Sequence, residues 1–113
     1  MFFSGVTTTF LKEFLFDFWA TLPLLLTLAL IVALLGQLVG KREGWSRFDS
    51  FYWSFITATT VGYGDIRPAR KGSRALSVAI ALIGLMFTGI LVALAVHSAT
   101  IALARHDAVI QVR

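Results

Sequence analysis

Cysteine is absent from this 113-residue chain, and charge is scarce. Without thiols there is no disulfide framework and no thiolate metal site, so the pattern carries no reading of redox compartment. Charged residues make up 14% of the chain, against about 25% in an ordinary soluble domain. Water is not the only solvent this sequence is built for. No metal-ligand cluster, nucleophile motif or phosphate-binding glycine loop appears, which argues against an enzyme and against a protein-bound cofactor. The N-terminus lacks a basic region followed by a short apolar stretch and a small-residue cleavage site, so no cleaved signal peptide is expected. Internal repeats and low-complexity segments are missing as well.

What is present is apolar surface and an excess of bases. Hydrophobic residues reach 58%, and ten Lys and Arg against six acids leave a formal net charge of +4. Such a balance can signal nucleic acid. Here the bases adjoin long apolar runs, so membrane headgroups are the anionic neighbours that fit, and no nucleic-acid partner is expected. The length allows one domain, 1–113, and a single chain of this size cannot enclose a pathway through a membrane.

Two uncharged runs point to an all-α membrane protein. Phe18 to Gly40, bounded by Asp17 and Lys41, holds 23 residues. As a helix it spans roughly 35 Å, enough to cross a hydrocarbon core with some tilt. An outer transmembrane helix is predicted over 19–40, with Pro23 near its start, where a missing N–H costs least. Ala75 to Ala104, between Arg74 and Arg105, holds 30 residues. It predicts a second transmembrane helix over 74–105, longer than a span needs and therefore tilted or projecting. Ahead of the first run, Phe10, Leu11, Phe14, Leu15 and Phe18 recur at helical spacing, with Lys12, Glu13 and Asp17 interleaved. That pattern fits either a separate interfacial helix over 6–18 or an early start of the first span.

Between the runs, Lys41 to Gly44 reads as a turn, and Ser46-Arg47-Phe48-Asp49 has the form of a capping box. A short helix is predicted over 46–59, too short and too polar to span. Its aromatics Phe48, Phe51, Tyr52, Trp53 and Phe55 go right round it, so it calls for protein on most sides. Thr60-Val61-Gly62-Tyr63-Gly64-Asp65 comes next, and Pro68 and Gly72 end the loop. Irregular backbone at membrane depth is tolerated only when buried in protein or lining a watery cavity. Gly62 and Gly64 take positive φ cheaply. Backbone of alternating hand would aim successive carbonyls the same way and turn Val61 and Tyr63 back into packing. One chain then supplies one column of oxygens, and four chains about a closed four-fold axis supply stacked rings. Carbonyls carry partial charge only, which suits a weakly hydrated monovalent cation and serves calcium or magnesium poorly.

Thr59-Thr60-Val61-Gly62-Tyr63-Gly64-Asp65 resembles the signature of the potassium channel superfamily. The order span, short helix, TVGYGD selectivity filter, span is similar to that of its two-transmembrane bacterial members along nearly the whole chain. The ion's identity comes with this resemblance and not from the residues alone. The resemblance implies a four-fold homotetramer in which two transmembrane helices flank a re-entrant pore helix, 46–59, and a filter, 60–65. Potassium ions would be held by the carbonyls of Thr60, Val61, Gly62 and Tyr63, with the Thr60 hydroxyl as the innermost ring. Gly64 would open the filter mouth. Trp53 matches the residue that, in similar channels, holds the filter tyrosine of the neighbouring subunit. Tyr52 stands where many members have a second tryptophan and would reach Asp65. Ile56 departs from members with a glutamate there, which puts in doubt filter-inactivation behaviour built on that carboxyl group but not selectivity. The C-terminal end of the short helix would face a central cavity with its negative dipole end; the alternative is a plain packing helix.

On the second span, Leu85, Thr88, Val92, Val96 and Thr100 share one face at spacings of three and four. They are cavity-lining candidates, their mostly apolar wall able to close by dewetting; the competing reading is a lipid-facing stripe. Gly84 and Gly89 fall where similar channels carry hinge glycines, and close helix packing explains such glycines equally well. His97 reads either as a proton sensor or as a neutral interface histidine, and Arg105 and His106 as interfacial anchors.

The loop from Lys41 to Arg74 carries seven Lys or Arg against three acids, the segment before Phe18 one base, and the tail from Arg105 two arginines. Charge bias alone puts that loop in the cytoplasm. The resemblance implies the reverse, a multi-pass cell-membrane protein with both termini cytoplasmic, and it is the more specific signal. Arg67, Arg70, Lys71 and Arg74 would then either hold anionic lipid headgroups at subunit edges or anchor the helix. No arginine-rich segment precedes the first span, so voltage sensing of the usual kind is not expected from this sequence. The tail is short, which fits a minimal channel or a pore module separated from a ligand-gated one. A transporter subunit would carry several degenerate loops, and a non-selective cation channel would be favoured by loss of Tyr63.

Overall fold

A computed structural model describes residues 2–112, with side chains as far as Asp107. Three helices account for most of it: α1, Phe2–Glu43; α2, Arg47–Ala58; and α3, Lys71–Val112. The fold is all-helical, two long apolar helices flanking a short one, and both long helices are apolar and long enough to cross a membrane. Each has 42 residues, or roughly 63 Å of helix, about twice the thickness of a hydrocarbon core.

Segments 6–18 and 19–40 thus belong to one unbroken helix. Pro23 does not lie near a helix start; it sits inside α1. Prolines survive inside membrane helices because neighbouring groups re-satisfy the backbone acceptor that they free. Gly72 likewise does not end the loop but lies in the first turn of α3.

Residues 24–88 form one compact unit. Its core is built from Val32 and Val39 of α1, Trp53 and Ala58 of α2, and Ile80 of α3. Small residues set how closely the helices approach. A Cβ added at Gly36 would fall on the side chain of Ser54, and one at Gly40 on that of Ser50. Glycines four apart on α1 therefore face serines four apart on α2. The buried hydroxyls do not seek partners across the contact: Ser50 Oγ donates to the Ser46 carbonyl at 2.8 Å and Ser54 Oγ to the Phe51 carbonyl at 2.8 Å. Each is satisfied by its own helix, so the seam stays tight without leaving a polar group stranded.

The ends of α1 and α3 in this unit are held by local chemistry. Gly44, at φ 78°, takes the left-handed position after α1, and the Trp45 N–H donates to the Gly40 carbonyl at 2.9 Å. These are the features of a Schellman stop, which needs glycine for its backbone and not for space. One residue earlier, the Glu43 carboxylate accepts from the N–H groups of Ala69 and Arg70 at 3.0 and 2.9 Å. Those donors stand at the approach to α3, where N–H groups have no carbonyl of the preceding turn to meet.

Residues 2–23 and 89–112 make up a second unit, the first half of α1 against the second half of α3. Gly5 lies under the ring of His106. Thr9 Oγ1 lies 3.2 Å from His106 Nε2, and Arg105 pairs with Glu13 at 3.1 Å. Phe10, Phe14 and Phe18 stack in a row along α1, their centroids 5.8 and 6.1 Å apart.

Candidate functional site

The short helix α2 begins and ends on side-chain hydrogen bonds. Ser46, with extended backbone, caps it by accepting from the Asp49 N–H at 3.1 Å. Thr59 closes it, its N–H and hydroxyl both donating to the Phe55 carbonyl, at 2.9 and 2.6 Å. A free helix end would expose several unpaired carbonyls. The following loop takes up two of them: the Thr60 N–H donates to Thr57 and the Gly62 N–H to Ile56, both at 3.2 Å. The chain therefore folds back along the last turn of α2 instead of running away from it.

Three alternate residues of this loop have left-handed backbone. Thr60 has φ 66°, Gly62 54° and Gly64 80°, while Val61 and Tyr63 between them have negative φ. Space does not demand the Gly62 glycine, since a Cβ there would meet nothing; the sign of φ does. Thr60 is the exception. A β-branched residue in this region is a genuine outlier, costing on the order of 1–2 kcal/mol. Strain of this kind persists where a conformation is required rather than merely permitted.

The outward character of the loop differs from the expectation that Val61 and Tyr63 turn back into packing. Within the chain Val61 is 49% exposed and Tyr63 71% exposed. One chain does not have enough neighbouring surface to cover them. Trp53, by contrast, is buried against Trp45, edge to face at 5.2 Å. Tyr52, Trp53, Ile56 and Thr57 line one wall of a pocket of about 240 Å³ whose other wall is formed by residues 62–67. There the Tyr52 phenol faces the Asp65 carboxylate. Partial burial, and then the charge and hydrogen bonding of Asp65, push that phenol above the ordinary tyrosine range. Tyr52 therefore stays protonated and able to donate to Asp65.

Leu85, Thr88, Val92, Val96 and Thr100 are all exposed on α3. The Thr100 hydroxyl donates to the Val96 carbonyl at 2.8 Å, which satisfies it within the helix. Two glycines within the apolar run of α3 differ sharply. Gly84 is buried, and a Cβ there would fall on the backbone of Ala58, whereas Gly89 is exposed with open space around it. Close approach of α3 to the end of α2 accounts for Gly84 without invoking a hinge. Of the four basic residues before and within the start of α3, Arg67 and Arg74 line one pocket of about 670 Å³, while Arg70 and Lys71 do not. The Arg74 Nε donates to the Pro68 carbonyl at 3.2 Å, holding the turn between them. His97 is exposed.

Two features had no place in the sequence reading. One is the Gly36–Gly40 seam against Ser50 and Ser54, for which the glycine pair four apart within an apolar run was an available signal. The other is Glu43, whose distant backbone partners no local pattern announces.

The family model described as "Ion channel" matches residues 20–100. Among curated proteins, the chain is 46% identical over 70 residues to "TWiK family of potassium channels protein 7" of Caenorhabditis elegans, covering 59% of this chain and 13% of that protein. It is 45% identical over 40 residues to "Voltage-gated potassium channel" of Aeropyrum pernix, covering 35% of this chain and 14% of the other. It is also 37% identical over 49 residues to "Open rectifier potassium channel protein 1" of Drosophila melanogaster, covering 43% of this chain and 5% of that protein. No solved structure matches the chain.

Proposed function

The chain belongs to the ion channel family, and from that premise we propose that it is the pore-forming subunit of a potassium-selective channel in which four copies surround one conduction path. The observation that carries this reading is the alternation of backbone hand at Thr60, Gly62 and Gly64, directly beyond the end of α2. Peptide planes of alternating sense put successive carbonyls on one side of the loop, so the oxygens of Thr60, Val61, Gly62 and Tyr63 replace the water around a bare potassium ion. The exposure of Val61 and Tyr63 in the single chain supports assembly, because further copies supply the missing cover. Gly64 shapes the filter mouth. Tyr52 and Trp53 hold the loop from behind, Tyr52 through Asp65. Four α2 helices ending near one axis add the negative ends of their dipoles to a cation's stabilisation.

In the same reading, Leu85, Thr88, Val92, Val96 and Thr100 line the water-filled cavity below the filter, Gly89 serves as the bending point of α3, and both termini lie in the cytoplasm. Arg67 and Arg74 face lipid headgroups at the subunit edge. The names of the three relatives support potassium as the ion. The chain spans only 13% and 14% of the first two of them, which supports a second reading, that this pore serves as one module of a longer channel.

Reconstitution in liposomes under opposed potassium and sodium gradients tests the proposal. The expected result is a reversal potential near that of potassium, abolished in Gly62→Ala, where the added Cβ disfavours positive φ. Equal permeability to the two ions would make this a non-selective cation channel and end the potassium assignment. Chemical cross-linking checks the assembly, a ladder ending at four subunits being expected. Because the chain has no cysteine, a single cysteine introduced in the 59–70 loop reports its side of the membrane by labelling from outside.

A further inference from the structure

The end of α1 and the start of α2 enclose a groove of about 640 Å³ lined by Gln37, Lys41, Trp45, Arg47 and Ser50. Lys41 and Arg47 both face this space and form no ion pair with the described residues, among which the single pair joins Arg105 to Glu13. None of the loop's acids pairs with them: Glu43 accepts from Ala69 and Arg70, Asp65 faces Tyr52, and Asp49 lies exposed on α2 with no ion pair among the described residues. The groove is also braced. Gln37 Nε2 donates to the Arg47 carbonyl at 3.0 Å, and Trp45 is held by its N–H bond to Gly40 and by its ring contact with Trp53. Two exposed positive charges thus stand beside an indole.

Below the groove the surface changes character. Leu30, Leu34 and Leu38 are exposed along α1, and helical spacing puts them on the same face as Gln37 and Lys41. Uncompensated cations stand at the end of an apolar ladder, at the point where α1 leaves its uncharged run. A soluble anion has no use for the ladder, and a zwitterionic headgroup brings its own ammonium to the two cations. We infer that this groove binds an anionic glycerophospholipid, its phosphate between Lys41 and Arg47 against the Trp45 ring, and its acyl chains along Leu38, Leu34 and Leu30. The inference rests on α1 crossing a membrane and not on which ion is conducted.

Depth-resolved quenching of tryptophan tests it. The full chain in a Trp19→Phe background keeps two of its three tryptophans, Trp45 at the groove and Trp53 in the core as a constant background. In phosphatidylcholine vesicles, brominated phosphatidylglycerol is expected to quench Trp45 at a mole fraction about twenty-five-fold lower than brominated phosphatidylcholine, from about fivefold for each of the two basic residues. K41Q/R47Q is expected to remove that preference, and Lys41→Arg to keep it, which separates lost charge from lost fold. Excess inorganic phosphate is expected to leave it in place. Equal quenching by the two lipids overturns the inference, as does a preference that survives K41Q/R47Q or vanishes in Lys41→Arg. A preference abolished by inorganic phosphate makes the groove a soluble-anion site and ends the lipid assignment. Ion flux in the same vesicles reports separately on the channel proposal.

Discussion

Replacing Gly84 and Gly89 by alanine, one at a time, should move stability in opposite directions. Both substitutions exchange a poor helix former for the best one, a gain of up to about 1 kcal/mol in a helix interior. At Gly89 nothing lies within reach of the new methyl group, so that gain stands and the variant is more stable by up to about 1 kcal/mol. At Gly84 the methyl group meets the carbonyl oxygen, carbonyl carbon and Cα of Ala58. These are backbone atoms at the end of α2 and cannot rotate aside as a side chain would. Overpacking of this kind costs about 1–3 kcal/mol, and a rigid obstacle places it at the upper end. Net destabilisation by about 2 kcal/mol follows, so the two variants should differ by about 3 kcal/mol, more than a hundredfold in the unfolding equilibrium. Reversible unfolding in mixed micelles, followed by helical circular dichroism, measures both. Two variants within about 0.5 kcal/mol of each other would refute the reasoning, because α3 would then not approach Ala58 as closely as described. If Gly84 serves instead as a bending point, Gly84→Ala changes open probability at unaltered stability.

The same logic applies to the α1–α2 seam: Gly40→Ala should destabilise by about 1–3 kcal/mol, and Ser50→Gly in the same chain should recover most of it, a coupling readable by a double-mutant cycle. In Tyr63→Phe, Tyr52 becomes the sole tyrosine of the two, and its absorbance titration should have a midpoint above the ordinary 10.0, falling toward it when Asp65→Asn is added. The sign follows from the proton that the folded state retains: this group's contribution to stability is complete below the unfolded-state value and is lost as pH rises through the folded one. An unshifted midpoint would mean that Tyr52 and Asp65 do not meet. Glu43→Gln should speed amide exchange at Ala69 and Arg70, which lose a charged acceptor, and unchanged exchange there would remove Glu43 as the tie between α1 and α3.

Much of the local structure was legible from spacing alone because its causes are local. The helix start at Ser46 is a hydroxyl within reach of an N–H three residues on, whereas Lys41 to Glu43, expected as a turn, continue α1, which stops only at the left-handed backbone of Gly44. The lengths of the helices were less legible. An interrupted apolar pattern before Phe18 does not distinguish a bend from a continuation, and Pro23 fits either until the helix is seen to run from Phe2 through it.

Composition and the two uncharged runs by themselves determined that this is a helical membrane protein, and the punctuated loop between them marked where its backbone would be unusual. Burial, solvation and the sign of φ attach to residue types, so a chain read in order carries them. Only the tertiary structure decided that Gly84 and the Gly36–Gly40 pair are points of close approach, that Trp53 packs against Trp45, and that Glu43 reaches across to Ala69 and Arg70. These depend on how each helix is rotated about its axis and on which distant backbone lies opposite, and side-chain period alone leaves both open.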